Sequence, residues 1–492
     1  MHCRPSSFQN RVLSGIAILL FTTLTLRGAS YSAASAKLSD IQAKIDLARD
    51  GDTIVVPAGT ARWTTELLIT KNLTLRGAGI GRTVIIDAVP RGPQSHTMHV
   101  VLTKNMPFRV TGFEFQGDTS VTAQNGGGIG YFRGMAGITS RFRLDHCKFA
   151  NLRGLPLVFR DLIGVIDHCT IDSGDTQGVQ VYHNTWGGAD FGHGSWADYP
   201  YWGSDKFLFF EDCDFSSSTG RAAIDCYEGA RVVIRHSSLN DAQISAHGTE
   251  GQGRGSKQLE IYNNVLTLSV RRGAAQIRSG SVVVHDNTYN NYVNGIDLKA
   301  YRQFVTRGTW GISSGTNVWD VNNSVMGALE SGTHTGANLA TSLFDSTKNW
   351  TPNQWETKDS QKDFSYVIKN TTQKLQSVII SNSPRNITYF QYTPPLRFNK
   401  GDRYEIWKVV TTLDQPGQGK SDLLAGLPAL PKKWPHNVLE PCYSWNNKDD
   451  NGNELDLHSV EGSIQEGRDY YNRTRKPNYA PYVYPHPLTA TN

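Results

Sequence analysis

FRLDHCKF (Phe142–Phe149), GVIDHCTI (Gly164–Ile171) and LFFEDCDF (Leu208–Phe215) are three copies of one eight-residue pattern. The same pattern recurs as FRVTGFEF from Phe108, VVIRHSSL from Val232, LEIYNNVL from Leu259 and VVVHDNTY from Val282. Every copy is apolar in its third and eighth places. The sixth place runs Phe113, Cys147, Cys169, Cys213, Ser237, Asn264, Asn287. Most successive copies start about two dozen positions apart; the two longer intervals, from Phe108 to Phe142 and from Gly164 to Leu208, leave room for insertions. A period of that length suits one coil of a stacked solenoid. Small polar or thiol side chains at one place per coil would then stack into an internal ladder at a bend. The cysteines, Cys147, Cys169 and Cys213 in this column above all, read as buried residues of the stacked coils rather than as disulfides or metal ligands. His146, His168 and His236 share a neighbouring column and read as turn residues.

Between these segments lies a second series of short strands: LVFRD (157–161), VQVYH (179–183), AIDCYE (223–228), QISAHG (243–248), AQIRS (275–279) and IDLKA (296–300). Strand alternation turns Phe159, Val181, Cys226, Ala246, Ile277 and Leu298 inward. Two outward columns remain. One reads Val158, Gln180, Asp225, Ser245, Gln276, Asp297, and the other Arg160, Tyr182, Tyr227, His247, Arg278, Lys299. A solvated face usually mixes Lys, Glu, Thr and Ser; a stripe of Arg, Tyr, His and Lys is what an acidic polymer would need.

The chain opens with Arg4 and Arg11 ahead of an apolar run from Val12 to Leu26, followed by small residues to Ala34 and Ala36. This predicts a cleaved signal peptide over 1–36 and a secreted or periplasmic protein. No later segment is apolar enough to span a membrane. Leu38, Ile41, Ile45 and Ala48 have helical spacing, with Ser39 as the expected N-cap. GDTIVVPAG (51–59) and LTLRGAG (73–79) follow. Together with the coils up to Gln303, these stretches resemble the amphipathic cap helix and first coils of the pectate-lyase-like β-helix superfamily. The resemblance implies an all-β fold, a right-handed parallel β-helix over 37–332. After it, short alternating strands such as SYVIKN, SVIISN and YEIWKV predict a small antiparallel β module over 333–410, inserted into or following the β-helix. A Pro-rich linker (427–441) lies within the remaining segment, 411–492. The tail EGRDYYN…YAPYVYPHPL is similar to closing segments of bacterial β-helix proteins and is expected to pack back along the coils.

The 492 residues carry a formal net charge of +5, too small and too dispersed for nucleic acid. The polar columns point instead to a polysaccharide. Eliminative cleavage of a uronic acid chain removes the C5 proton, and the adjacent carboxylate must be neutralised by a cation or metal. His247 and Tyr227 are the candidate base and acid; Arg278, Lys299 and Arg254 are candidates for neutralising the carboxylate. Arg160, Tyr182 and Asp225 would help hold the chain. Trp186, His193, Trp196 and Trp202 lie in a long aromatic loop that either stacks on sugar rings or packs on itself. Asp225, Glu228 and Asp297 offer oxygens to Ca²⁺, which some related lyases use, but no run of alternating acids fixes a site. A polysaccharide lyase, expected as a monomer, is the leading reading. A glycoside hydrolase would need close paired carboxylates, and a non-catalytic carbohydrate binder would need only the face.

Overall fold

The computed structural model describes residues 28–299, 328–410, 416–417, 420–421 and 437–490, less short stretches at 91, 93–94, 119, 121–127, 136–138, 152–156, 176, 189, 219–221, 249–252, 274, 357–363, 392–394, 461–463 and 465. The apolar leader and residues 427–436 of the Pro-rich linker lie outside the described residues. Each eight-residue pattern is two short strands joined at a corner, as in Phe142–Asp145 and Lys148–Ala150. The fifth residue of each pattern forms the corner and takes a positive φ: Gly112, His146, His168, Asp212, His236, Asn263 and Asp286 lie between 49° and 77°. Gly, Asn and Asp enter that region at least cost, and His is enriched there as well. The expectation that the three histidines are turn residues holds, and the backbone conformation is its physical reason.

Stacking these coils produces three parallel sheets. Among the described residues, sheet I has twelve strands and includes Phe142–Asp145; sheet II has ten and includes Lys148–Ala150; sheet III has nine and includes Leu157–Arg160. The chain is a right-handed parallel β-helix. One continuous apolar core fills it from Ala33 to Tyr470. The sixth-place ladder runs along this core. Asn287 donates to Asn447 Oδ1 (2.8 Å) and accepts from Asn264 Nδ2 (3.0 Å), and Ser237 N donates to Asn264 Oδ1 (3.0 Å). All five cysteines among the described residues are free and buried.

The N-terminal helix spans Leu38–Leu47 and buries Ile41 and Ile45 in the core. Ser39 is not its cap. The cap position is Lys37, and Ser35 Oγ instead accepts from Lys37 N (3.1 Å) and donates to Asp40 (2.6 Å). The six-stranded antiparallel sheet runs from Glu330 to Val410 with its own core around Trp350, Ile368 and Phe398. It is an insertion: Cys442–Trp445 pairs in parallel with Ser281–His285, and Lys448–Asp449 with Thr288–Tyr292, so another coil follows the module. The tail then lies on sheet I. Arg235 and Glu211, both fully buried, hold it through the carbonyls of Tyr482 and Val483 and the amide of His486.

Candidate active site

The register of sheet III reproduces both outward columns. Val158, Gln180, Asp225, Ser245, Gln276 and Asp297 are successive partners. Tyr131 and His99 extend that row toward the N-terminus. In the other row Arg133, Arg160, Tyr182 and Tyr227 pair in turn. It continues because the amides of His247, Arg278 and Lys299 donate to the carbonyls of Cys226, Ala246 and Ile277. The alternate side chains, from Phe159 to Leu298, are buried in the core, so apolar alternation presents the polar set as one face.

At the middle of this face the rings of Tyr182, Tyr227 and His247 form a stack. Tyr182 and Tyr227 lie 4.9 Å apart, and Tyr227 and His247 3.9 Å apart. Beneath them sits Asp225, only 1% exposed. Its Oδ2 accepts from Tyr227 Oη (2.7 Å) and Gln177 Nε2 (3.0 Å) and faces His247 Nε2 at 3.0 Å. Its Oδ1 is buried without a hydrogen-bond partner among the described residues. Several donors must converge on a carboxylate that has lost its water. Asp225 is thus a positioning residue for both rings and is too buried to hold a polymer itself. With Nε2–H directed at Asp225, the lone pair of a neutral His247 lies on Nδ1. Burial, then the Asp225 charge and the hydrogen bond to it, push the Tyr227 phenol far above its ordinary value. Tyr227 is therefore a proton donor throughout the neutral range.

Gln177 escaped the sequence reading because it precedes its strand. It accepts from Gln180 Nε2 (2.9 Å), and Gln180 accepts from Tyr182 Oη (3.0 Å), which links Tyr182 to Asp225. Its spacing to Gln180 on one strand approach was the available signal. Cations flank the stack on both sides. Arg160 lies over the Tyr182 ring at 4.4 Å, and Arg278 Nη2 donates to Ser245 Oγ (2.9 Å) one strand beyond His247. Lys299 follows one strand later. Successive strands are about 4.8 Å apart, so Arg278 is the cation of the C-terminal side nearest the imidazole.

Of the two readings of the aromatic loop, stacking on sugar rings or packing on itself, burial favours the second for its tryptophans Trp186 and Trp196. Gly192 lets it close on the strand end: φ is +77°, and a Cβ there would lie 2.4 Å from the Glu228 carbonyl carbon. Trp186 and Trp196 are 4% and 0% exposed. Arg231, fully buried, covers Trp186 at 4.6 Å and bonds the carbonyls of Ser195, Tyr199 and Pro200. Lys257 Nζ bonds the carbonyls of Ser195 and Asp198. Two buried basic side chains thus clamp the loop onto the β-helix through its carbonyls. Arg254, 1% exposed, stacks on Trp196 at 4.4 Å and is removed from a soluble polymer. Trp202 turns to the C-terminal segment, donating to Glu440 (2.7 Å). Burial and the neighbouring Arg254 charge push His193 down to about 3, so it is neutral. The loop packs on the β-helix through Trp186, Trp196 and Arg254, which are buried away from the open face, while His193 and Trp202 are half-buried.

The oxygens offered to Ca²⁺ do not converge. Asp225 and Asp297 are three strands apart, about 14 Å. Asp297 is engaged by Asn294 (3.1 Å) and faces His458 (3.3 Å), and Glu228 accepts from Asn184. Among the described residues, groupings with metal-ligand spacing form at Glu66, His96 and His99 and at Asp145, His146 and Asp167, neither including Asp225. Asp225 and Asp297 are also too far apart for the carboxylate pair of a glycosidase.

No protein-family model matches the chain. No curated protein matches it either. Solved structures give slight similarities. An alginate lyase from Paenibacillus sp. str. FPU-7 is 15% identical over 55% of this chain and 97% of its own, with a TM-score of 0.31. A PL6 family polysaccharide lyase from Pseudopedobacter saltans is 13% identical over 55% of this chain and 65% of its own, with a TM-score of 0.32. Superpositions this loose carry no argument about activity. The β-helix rests on the strand order of the chain itself.

Proposed function

We propose that the Tyr182–Tyr227–His247 face is the active site of a secreted, monomeric polysaccharide lyase that cleaves a uronic-acid-containing chain by β-elimination. The observation that carries this reading is the shared contact of Tyr227 and His247 with one buried oxygen, Asp225 Oδ2, beside Arg278. Arg278 pairs with the substrate carboxylate and so stabilises the charge that develops when C5 loses its proton. His247 Nδ1 takes that proton. The C5–H electrons form the C4–C5 double bond, the C4–O bond breaks, and Tyr227 Oη gives its proton to the leaving oxygen. Because both rings contact the same carboxylate oxygen, the proton on His247 has a path back to Tyr227. Arg160 and Lys299 line the same row and hold neighbouring carboxylates of the polymer. Under this proposal cations of the chain supply the neutralisation, with no call on the scattered calcium oxygens. Export rests on the apolar leader.

The test is incubation of the mature chain with acidic and neutral polysaccharides, alginate among the acidic ones, with and without Ca²⁺. Elimination creates a double bond conjugated with the carboxylate, which absorbs in the ultraviolet, together with new reducing ends. Arg278→Ala is expected to abolish turnover and Arg278→Lys to restore part of it, since Lys keeps the charge but loses the planar fork. Reducing ends without absorbance would replace elimination by hydrolysis. Binding without either product would leave a carbohydrate-binding face.

A further inference from the structure

Far from the stack, sheet III carries a second concentration of chemistry. Strand His96–Val101 presents His99 in the same outward row as Asp225, four strands away and so about 19 Å distant. Glu66, just before Leu67–Ile69, and His96, at the start of the same strand as His99, close around it. His99 Nδ1 lies 3.1 Å from Glu66 Oε1, and His96 Nδ1 lies 3.7 Å from Glu66 Oε2. One ligand atom from each residue falls within 4.8 Å of the other two.

We propose that Glu66, His96 and His99 bind a divalent transition-metal ion of the Zn²⁺ type. Two imidazoles and one carboxylate are the donor set such borderline ions take. A tetrahedral ion with bonds of about 2.1 Å places its ligand atoms about 3.4 Å apart. The two imidazole–carboxylate separations straddle that value, 3.1 Å from His99 Nδ1 to Glu66 Oε1 and 3.7 Å from His96 Nδ1 to Glu66 Oε2, each imidazole facing its own carboxylate oxygen. The site is also held in shape. Tyr131 packs on both imidazoles, 4.9 Å from His96 and 5.1 Å from His99, which fixes the rings before any ion arrives. His96 is 5% exposed, while the side chains of His99 and Glu66 are 29% and 31% exposed. Three protein ligands with one open side leave the fourth position to water or to an anionic ligand from solution.

The other grouping, Asp145, His146 and Asp167, has a different explanation. Arg109 grips Asp145 with two bonds of 2.7 Å, and Arg143 grips Asp167 at 2.9 and 3.0 Å. An ion would have to displace guanidinium groups that already neutralise those carboxylates. It therefore serves as the internal control.

The experiment uses the full mature chain, stripped with EDTA and dialysed, then titrated with ZnCl₂ by calorimetry and checked by elemental analysis. One equivalent is expected. Glu66→Gln and His99→Gln, on partly exposed side chains, should each weaken binding by more than the roughly 10–100-fold typical of losing an outer partner of a ligand. His146→Gln should leave it unchanged. Co²⁺ loaded into the unmutated chain should give the intense visible bands of a four-coordinate nitrogen and oxygen site, a readout independent of how the variants fold. Absence of stoichiometric binding by the unmutated chain would overturn the proposal. So would undiminished binding in folded Glu66→Gln and His99→Gln, or loss confined to His146→Gln. The proposal does not depend on the lyase reading, since none of these measurements uses a polysaccharide.

Discussion

Replacing Tyr227 by Phe deletes one oxygen and leaves the ring that stacks on His247 at 3.9 Å. Asp225 Oδ2 loses its 2.7 Å donor but keeps Gln177 at 3.0 Å and the His247 contact at 3.0 Å. A hydrogen bond to a charged group contributes about 1.5–3 kcal/mol. If Tyr227 only positioned its neighbours, and all of that energy were expressed in the transition state, the loss would reach roughly 160-fold. Removal of a proton donor costs about 10²–10⁴-fold. The expected result is a fall in kcat of about 10³-fold with KM little changed, because the phenol acts only as the C4–O bond breaks. The assay is the initial rate of ultraviolet absorbance on the polymer identified by the panel, with circular dichroism confirming the fold. The raised Tyr227 phenol also requires that no alkaline limb below the ordinary tyrosine range come from this group. A fall of less than about tenfold in the folded variant is below the whole range for a lost proton donor, and it would remove Tyr227 from the chemistry and refute the assignment.

Asn287→Ala removes four ladder hydrogen bonds, to Ile261 O, Asn447 Oδ1, Asn264 N and Asn264 Nδ2. At ~1 kcal/mol each the loss is about 4 kcal/mol, expected as faster unfolding in denaturant, with Asn287→Cys less damaging because Cys fills this place in earlier coils. Trp196→Ala should cost about 3–5 kcal/mol of stability through the cavity it leaves, measured by unfolding, while KM for polymer in the folded fraction stays unchanged. Glu260, buried under the tail and bonded by Tyr479 Oη (2.6 Å) and Gly203 N (2.8 Å), has its carboxyl raised by burial from 4.5 to about 7. The folded state then holds a proton that the unfolded state has lost, so stability declines as pH rises from about 4.5 to 7, by about 3 kcal/mol in all. Glu260→Gln should flatten that decline in thermal unfolding followed across this pH range.

The sequence by itself determined the repeat, and with it the coil, the inward ladder and both outward columns. These follow from a strand that alternates its side chains and a coil that recurs at a nearly constant length, local regularities that no distant contact needs to supply. His247 and Tyr227 could therefore be named as neighbours across a coil before their rings were seen to stack. The corner histidines were legible for the same reason, although only the backbone showed that a positive φ governs them. The tertiary structure decided what has no period. The aromatic loop was equally consistent with an exposed sugar platform and a packed flap, and the choice fell to Arg231 and Lys257, whose burial against its carbonyls sequence cannot reveal. Gln177 joined the site, and Arg254 left it, through turns whose paths depend on what they pack against. The insertion of the 330–410 module became visible only when Cys442–Trp445 resumed sheet I. Glu66, His96 and His99 come together because one precedes its strand and another begins the next, a convergence across coils that periodicity does not encode.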